Sequence, residues 1–147
     1  MRINPQASLI AHQEIFIQAP PEVVWKIHTD INAWSQWQPG ITRANLEGPP
    51  AVGSIFQFKS GGLIISATIQ MVEPNQRIGW TGQTLGTQAS HVWTLTPHQN
   101  GTLLTTDESM EGWLINLLKL IVPKFLERSL ETWLQSLKSK AEGSSHS

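Results

Sequence analysis

The chain has 147 residues, of which 39% are hydrophobic and only 14% charged, and its net charge is -1. Length and composition suit one domain over residues 1–147 with a single core, and weak charge without like-sign runs argues against nucleic-acid binding. The absence of cysteine excludes disulfides, thiol catalysis and thiolate metal sites, and it suits a reducing cytoplasmic setting. Residues 1–6 lack the apolar run of a signal peptide. No stretch reaches the ~20 apolar residues of a membrane span, so no stable membrane insertion is expected. The aromatic content is seven Trp, four Phe and no Tyr. Trp combines a large apolar face with one N–H donor, which suits the lining of a ligand cavity.

Residues 1–11 show no period and are expected to be a loose lead-in, with an ordered core over about residues 12–142. Residues 12–18 alternate, Ile15 and Ile17 against Glu14 and Gln18, which predicts a half-buried strand. Pro20-Pro21 ends it and suits the first position of a short helix, with Glu22 in the first turn. Asp30 is the expected cap of a second short helix over 31–37, which carries Trp34 and Trp37 on one face.

Residues 41–110 read as six strands joined by short turns. Strand 54–59 alternates Phe56 and Phe58 against polar residues. Strand 63–71 places Ile65, Ala67, Ile69 and Met71 on one face, and strand 77–84 places Ile78 and Trp80 there. Strand 88–96 does the same with Ala89, His91, Trp93 and Leu95, and Asn100-Gly101 turns the chain into the last strand, 102–110. One face is apolar and the other rich in Thr, Ser and Gln, as in an antiparallel sheet wet on one side.

Residues 112–142 are helical in pattern, with a break at Pro123. In the second half Leu126, Leu130, Trp133, Leu134, Leu137 and Ala141 share one stripe, and Gly143 is placed to end the helix before a flexible tail, 143–147. The first half, 113–122, is apolar nearly all round. It reads either as buried core or as a mobile gate between Gly112 and Pro123, able to make transient membrane contact. A twisted sheet cannot lie flat on one helix and must curl around it, which leaves room for an apolar cavity. The competing expectation is a solid core.

The informative residues are polar ones on the apolar face. His91 shares a face with Trp93 and Leu95, and Leu104, Thr106, Glu108 and Met110 share another. If Leu95 pairs with Leu104, His91 falls opposite Glu108 and Trp93 opposite Thr106. A one-residue slip instead turns Glu108 to solvent and Asp107 inward. Such a pair either satisfies itself and anchors a ligand's polar group, or works as general acid and base. His28 on the first helix either points into the cavity end or, as a single His on a short helix, lies on the surface. His12 and His98 read as strand-start and turn residues, and His146 as a tail residue. No His, Cys or carboxylate spacing fits a metal site, and neither a nucleophile elbow nor a phosphate loop is present, so no metal or nucleotide cofactor is expected.

The order strand, two short helices, six strands and a long C-terminal helix resembles the helix-grip fold of the START-related (SRPBCC) superfamily. The nearest likeness is to its polyketide cyclase/dehydrase and lipid-transport branch. The likeness is carried by Ile15-x-Ile17-x-Ala19-Pro20-x-Glu22-x-Val24-Trp25, then Asp30 with Trp34-x-x-Trp37, Val52-Gly53, and Val72-Glu73-x-Asn75 leading to Ile78-Gly79-Trp80. Trp93-x-Leu95-x-Pro97, Gly101-Thr102 and Glu108-x-x-x-Gly112 complete it. The resemblance implies an α+β fold in which a curved seven-stranded antiparallel sheet wraps a long C-terminal helix. It also implies a pocket for a small hydrophobic or amphipathic molecule of lipid, polyketide or isoprenoid type. A fold with so many uses does not assign one.

Three functions stay open. As a carrier, the chain would line its pocket with Trp37, Phe56, Phe58, Ala67, Ile69, Trp80, Trp93, Thr106, Met110, Trp113, Leu117 and Ile121, with His91 and Glu108 as polar anchors. As a cyclase, aromatase or dehydratase, it would use His91 and Glu108 as the catalytic acid–base pair. As an interaction domain, it would dock a protein partner on the apolar helix half.

Overall fold

A computed structural model describes residues 1–145. Strand β1 (Leu9–Ile17) leads into α1 (Pro21–Thr29) and a short 3-10 helix (Ile31–Gln36). The meander β2 (Ile41–Leu46), β3 (Ile55–Ser60), β4 (Leu63–Glu73), β5 (Arg77–Thr84), β6 (Thr87–His98) and β7 (Gly101–Glu111) follows. Helices α2 (Trp113–Ile121) and α3 (Phe125–Ser145) end the chain. The sheet is antiparallel, in the order β1-β7-β6-β5-β4-β3-β2, so β1 closes against the last strand.

The helix starts and stops follow local chemistry. Helix α1 opens on Pro21, whose missing N–H costs nothing at a first helical position. The expected cap at Asp30 is not made by its side chain, and the segment after it is a 3-10 helix. The helical C-terminus is broken as expected, since Pro123 cannot donate within a ladder. Gly143, by contrast, does not end α3, which runs on to Ser145. Residues 146–147 of the expected tail, including His146, lie outside the described residues.

The lead-in is ordered further than its lack of period indicated. Leu9, Ile10 and Ala11 pair with Met110, Ser109 and Glu108. Ahead of them, the Asn4 N–H donates to Ser109 Oγ at 3.0 Å and its side chain to Glu111 Oε1 at 3.0 Å. A side chain on Gly79 would run into the Met1 sulfur. The first residues therefore cross the outer face of the sheet, beside Val92.

Both sheet edges are closed. At β2, the Asn32 amide donates to the Leu46 carbonyl and accepts from its N–H, as a neighbouring strand would. At β1, Gln13 Nε2 donates to Glu127 O and Lys138 Nζ to Phe16 O, which ties the edge to α3. A register shift between Ile69 and Met71 rotates β4. The inward position expected for Met71 goes to Val72, opposite Ile78.

The inner face has two halves. Toward α1, Ile17, Trp34, Phe56, Ala67, Ile69, Ile78, Trp93, Leu95 and Leu104 form a solid core with Trp133, Leu134 and Leu137 of α3. Toward α2, the strands carry small residues, Gly82 and Ala89, side by side on β5 and β6. Without bulk there, sheet and helices cannot meet, and a cavity remains. Among the described residues no helix is long and apolar enough to cross a membrane.

Candidate ligand cavity

The cavity measures about 370 Å³, near the small end of the ~300–1,000 Å³ typical of ligand sites. Its walls come from the α2 ends of the strands, chiefly Phe58, Ile65, Trp80, Ala89 and Met110, and from Leu114, Ile115, Leu118, Leu126 and Trp133 of the two helices. His91 and Glu108 are its only titratable lining residues among those described.

The β6–β7 register is the one that pairs Leu95 with Leu104, and it sets His91 opposite Glu108 and Trp93 opposite Thr106. His91 Nδ1 lies 3.5 Å from Glu108 Oε2, and His91 Nε2 lies 2.7 Å from Thr106 Oγ1. Burial holds the Glu108 carboxyl well above its ordinary range, at about 8. Burial, aided by the neighbouring His28, lowers His91 to about 3. At neutral pH both groups are therefore uncharged, and the contact is not an ion pair. One proton arrangement satisfies both: Nε2–H donates to Thr106, which leaves Nδ1 as an acceptor facing the protonated carboxyl. At 3.5 Å that second contact is long. The Glu108 proton is thus available to a ligand oxygen as well as to His91.

His28 is not a surface residue. It is 1% exposed, its ring centroid lies 4.5 Å from that of Trp93 and 5.8 Å from that of Trp80, and neither nitrogen has a hydrogen-bond partner. Burial alone lowers its pKa to about 3. Trp80 and Trp93 separate it from the cavity, since both rings also contact His91.

The residues expected to line a pocket divide into three groups. Phe58, Trp80 and Met110 reach the cavity, with His91 and Glu108. Phe56, Ala67, Ile69 and Trp93 are buried in the solid half of the core, and Thr106 lies behind His91 as its hydrogen-bond partner. Trp37 packs on Trp133 outside the cavity. Trp113, Leu117 and Ile121 point away from it, being 61%, 48% and 66% exposed. Helix α2 instead turns Leu114, Ile115 and Leu118 inward. A segment apolar on every side carries no signal for which stripe faces in. Trp133 lay on a stripe legible in the sequence, whereas the rim residues Ser60, Thr84 and Thr87 fall at or beyond the strand ends and Gln83 on the face read as polar, so the alternation carried no signal for them.

A curved antiparallel sheet gripping a C-terminal helix around such a cavity defines a helix-grip protein. The profile of the family described as polyketide cyclase / dehydrase and lipid transport matches residues 9–142, and the chain belongs to that family. No curated protein matches the chain. Among solved structures, a hypothetical protein from Helicobacter pylori is 16% identical, with a TM-score of 0.83 over 93% of this chain and 90% of the other. A START superfamily protein from Mycobacterium smegmatis is 20% identical, with a TM-score of 0.78 over 91% and 97%. The Zhui aromatase/cyclase from Streptomyces sp. R1128 is 12% identical, with a TM-score of 0.80 over 91% and 93%. At these identities the likeness establishes the fold.

Proposed function

We propose that this protein binds and carries a small, largely apolar molecule with one polar group, held in the cavity between the sheet and helices α2 and α3. The observation that carries this reading is an apolar cavity of about 370 Å³ with a single polar spot, His91 and Glu108. Trp80, Trp133 and Phe58 supply flat apolar surface, and the protonated Glu108 supplies a donor. Native mass spectrometry of protein purified from its own host is expected to show a co-purifying small molecule. Protein that is uniformly empty, and shows no tryptophan quenching with apolar probes, would overturn the reading.

The same spot favours a second reading, an enzyme of the cyclase, aromatase or dehydratase kind. A protonated carboxyl and a neutral imidazole 3.5 Å apart are an acid and a base on one cavity wall. Glu108 would donate its proton to a ligand carbonyl oxygen while His91 Nδ1 takes one from the adjacent carbon, giving an enol and a carboxylate–imidazolium pair. His91→Ala separates the two readings. A carrier keeps its ligand with a loss of a few-fold, whereas an enzyme keeps binding and loses turnover.

Helix α2 serves as the gate in either case. It covers the cavity with Leu114, Ile115 and Leu118, yet leaves Trp113, Leu117, Leu120 and Ile121 exposed. It is bounded by Gly112, at φ 121°, and by the break at Pro123. Amides of α2 are expected to exchange with deuterium at least about tenfold faster than those of residues 130–141, and to slow when ligand is bound. Equal protection of the two helices would make α2 core. Brief contact of its exposed stripe with a membrane or a protein partner during loading fits the same geometry.

A further inference from the structure

We infer that the cavity is selective for charge: it takes uncharged ligands that present a carbonyl oxygen toward Glu108, and it excludes carboxylates and phosphates. This deepens the reading of the cavity as a container for a small apolar molecule and rests on it.

Among the described residues, no lysine or arginine lines the wall. Its polar members besides His91 and Glu108 are amides and hydroxyls, among them Gln38, Gln83, Thr84 and Thr132. Four of the chain's cations are directed elsewhere. Arg43 and Lys59 line a separate groove with Asn45 and Gln57 on the other side of β2 and β3. Lys138 is held by Phe16 O and Glu142, and Lys119 by Ser8 O. Two helix N-termini border the cavity: α3 carries its own carboxylate, Glu127, in the first turn, and at α2 the Leu114 N–H is already bonded to the Gly86 carbonyl. An anionic ligand would therefore lose its water without gaining a cation. It could enter only by taking up a proton. For an ordinary carboxylic acid at pH 7 that requirement weakens binding on the order of a hundredfold.

A carbonyl meets the opposite situation. Neutral His91 is already bonded to Thr106, and the Glu108 hydroxyl lacks a short partner. Burial keeps that carboxyl protonated at neutral pH, so it donates to an acceptor and repels none. A hydrocarbon of the same shape fits but leaves this donor unused.

Three near-isosteric probes test the inference at pH 7, read by quenching of Trp80 and Trp133: 2-acetonaphthone, 2-naphthoate and 2-ethylnaphthalene. The ketone is expected to bind about a hundredfold more tightly than the carboxylate. Glu108→Leu is expected to lower the ketone-to-hydrocarbon affinity ratio about fivefold. Ser129 is an exposed residue at the cavity rim, so Ser129→Lys tests the charge argument without disturbing the core. It is expected to improve naphthoate binding about tenfold relative to the ketone. Naphthoate binding as tightly as the ketone while the hydrocarbon also binds would overturn the selectivity and leave the container intact. An unchanged ketone-to-hydrocarbon ratio in Glu108→Leu would overturn the role of Glu108. If the hydrocarbon itself fails to bind, the container reading fails and this inference with it.

Discussion

Trp34→Ala is expected to lower the free energy of unfolding by about 4 kcal/mol, the largest loss of any single truncation considered, read as a shift of the urea midpoint at constant slope. Trp34 is fully buried, and its ring meets those of Phe56, Phe58, Trp80 and Trp133 at centroid distances of 5.5, 5.6, 5.8 and 4.9 Å. Its indole N–H also donates to the His28 carbonyl at 2.8 Å. Truncation removes apolar area, opens a cavity that β3, β5 and α3 cannot all collapse into, and leaves a buried carbonyl unpaired. The comparison residue is Trp113, which is 61% exposed. Trp113→Ala is expected to cost less than about 1 kcal/mol. Similar losses for the two would mean that the solid half of the core is not organised around Trp34.

Stability is expected to peak near pH 6.5, and the position of that peak follows from three buried groups. Glu108 titrates at about 8 in the folded chain against an ordinary 4.5, so between these values the folded state holds a proton that the unfolded state has lost. Raising the pH through that window therefore destabilises the fold. His28 and His91 have the opposite sign. Their folded values of about 3 lie below the ordinary 6.5, so between those values the unfolded state binds protons that the folded state refuses. Lowering the pH through that window destabilises the fold. At pH 6.5 the unfolded chain holds about one proton shared by the two imidazoles, and the folded chain holds one on Glu108, so the two effects balance. The groups involved sit on three elements, His28 on α1, His91 on β6 and Glu108 on β7, with the rings of Trp80 and Trp93 between His28 and the other two. The loss is about 2 kcal/mol by pH 4.5 and about 1 kcal/mol by pH 8.

Variants assign each arm of that curve. Glu108→Gln is expected to abolish the alkaline fall, so that stability rises with pH and then levels. His28→Phe is expected to move the maximum to about pH 5.5, because one imidazole must then balance Glu108 alone. Unfolding by urea at several pH values reads both. A maximum that stays in place in His28→Phe would show that His28 is charged or finds a partner in solution. The observation that motivates the variant is that both of its ring nitrogens are buried without one.

The sequence by itself determined the order of elements and the inward face of nearly every strand, and it offered the His91–Glu108 pairing as one of two registers across β6 and β7. These depend on local physics. Alternation in 88–96 and 102–110 assigns side chains to faces, but the turn falls on Gln99 and Asn100, one residue earlier than the Asn100-Gly101 signal, and that is what pairs His98 with Gly101 and His91 with Glu108. Pro123 similarly forces the break between α2 and α3.

Tertiary structure alone decided where on the inner face the cavity opens. A period of two says which side a residue faces and nothing of its height along the strand. Phe56 and Phe58 were equivalent by pattern, yet Phe56 is in the solid core and Phe58 borders the cavity. Trp34 packs on both rings, at 5.5 and 5.6 Å, but Phe58, one step further along β3 and opposite Ile65, also borders the gap left beneath α2 and α3. The same limit explains α2. Its ring of apolar residues left the inward stripe undetermined until Leu114 was fixed by the bond from its N–H to the Gly86 carbonyl at 3.1 Å. That contact joins residues far apart in the chain, and no periodicity within 113–122 encodes it.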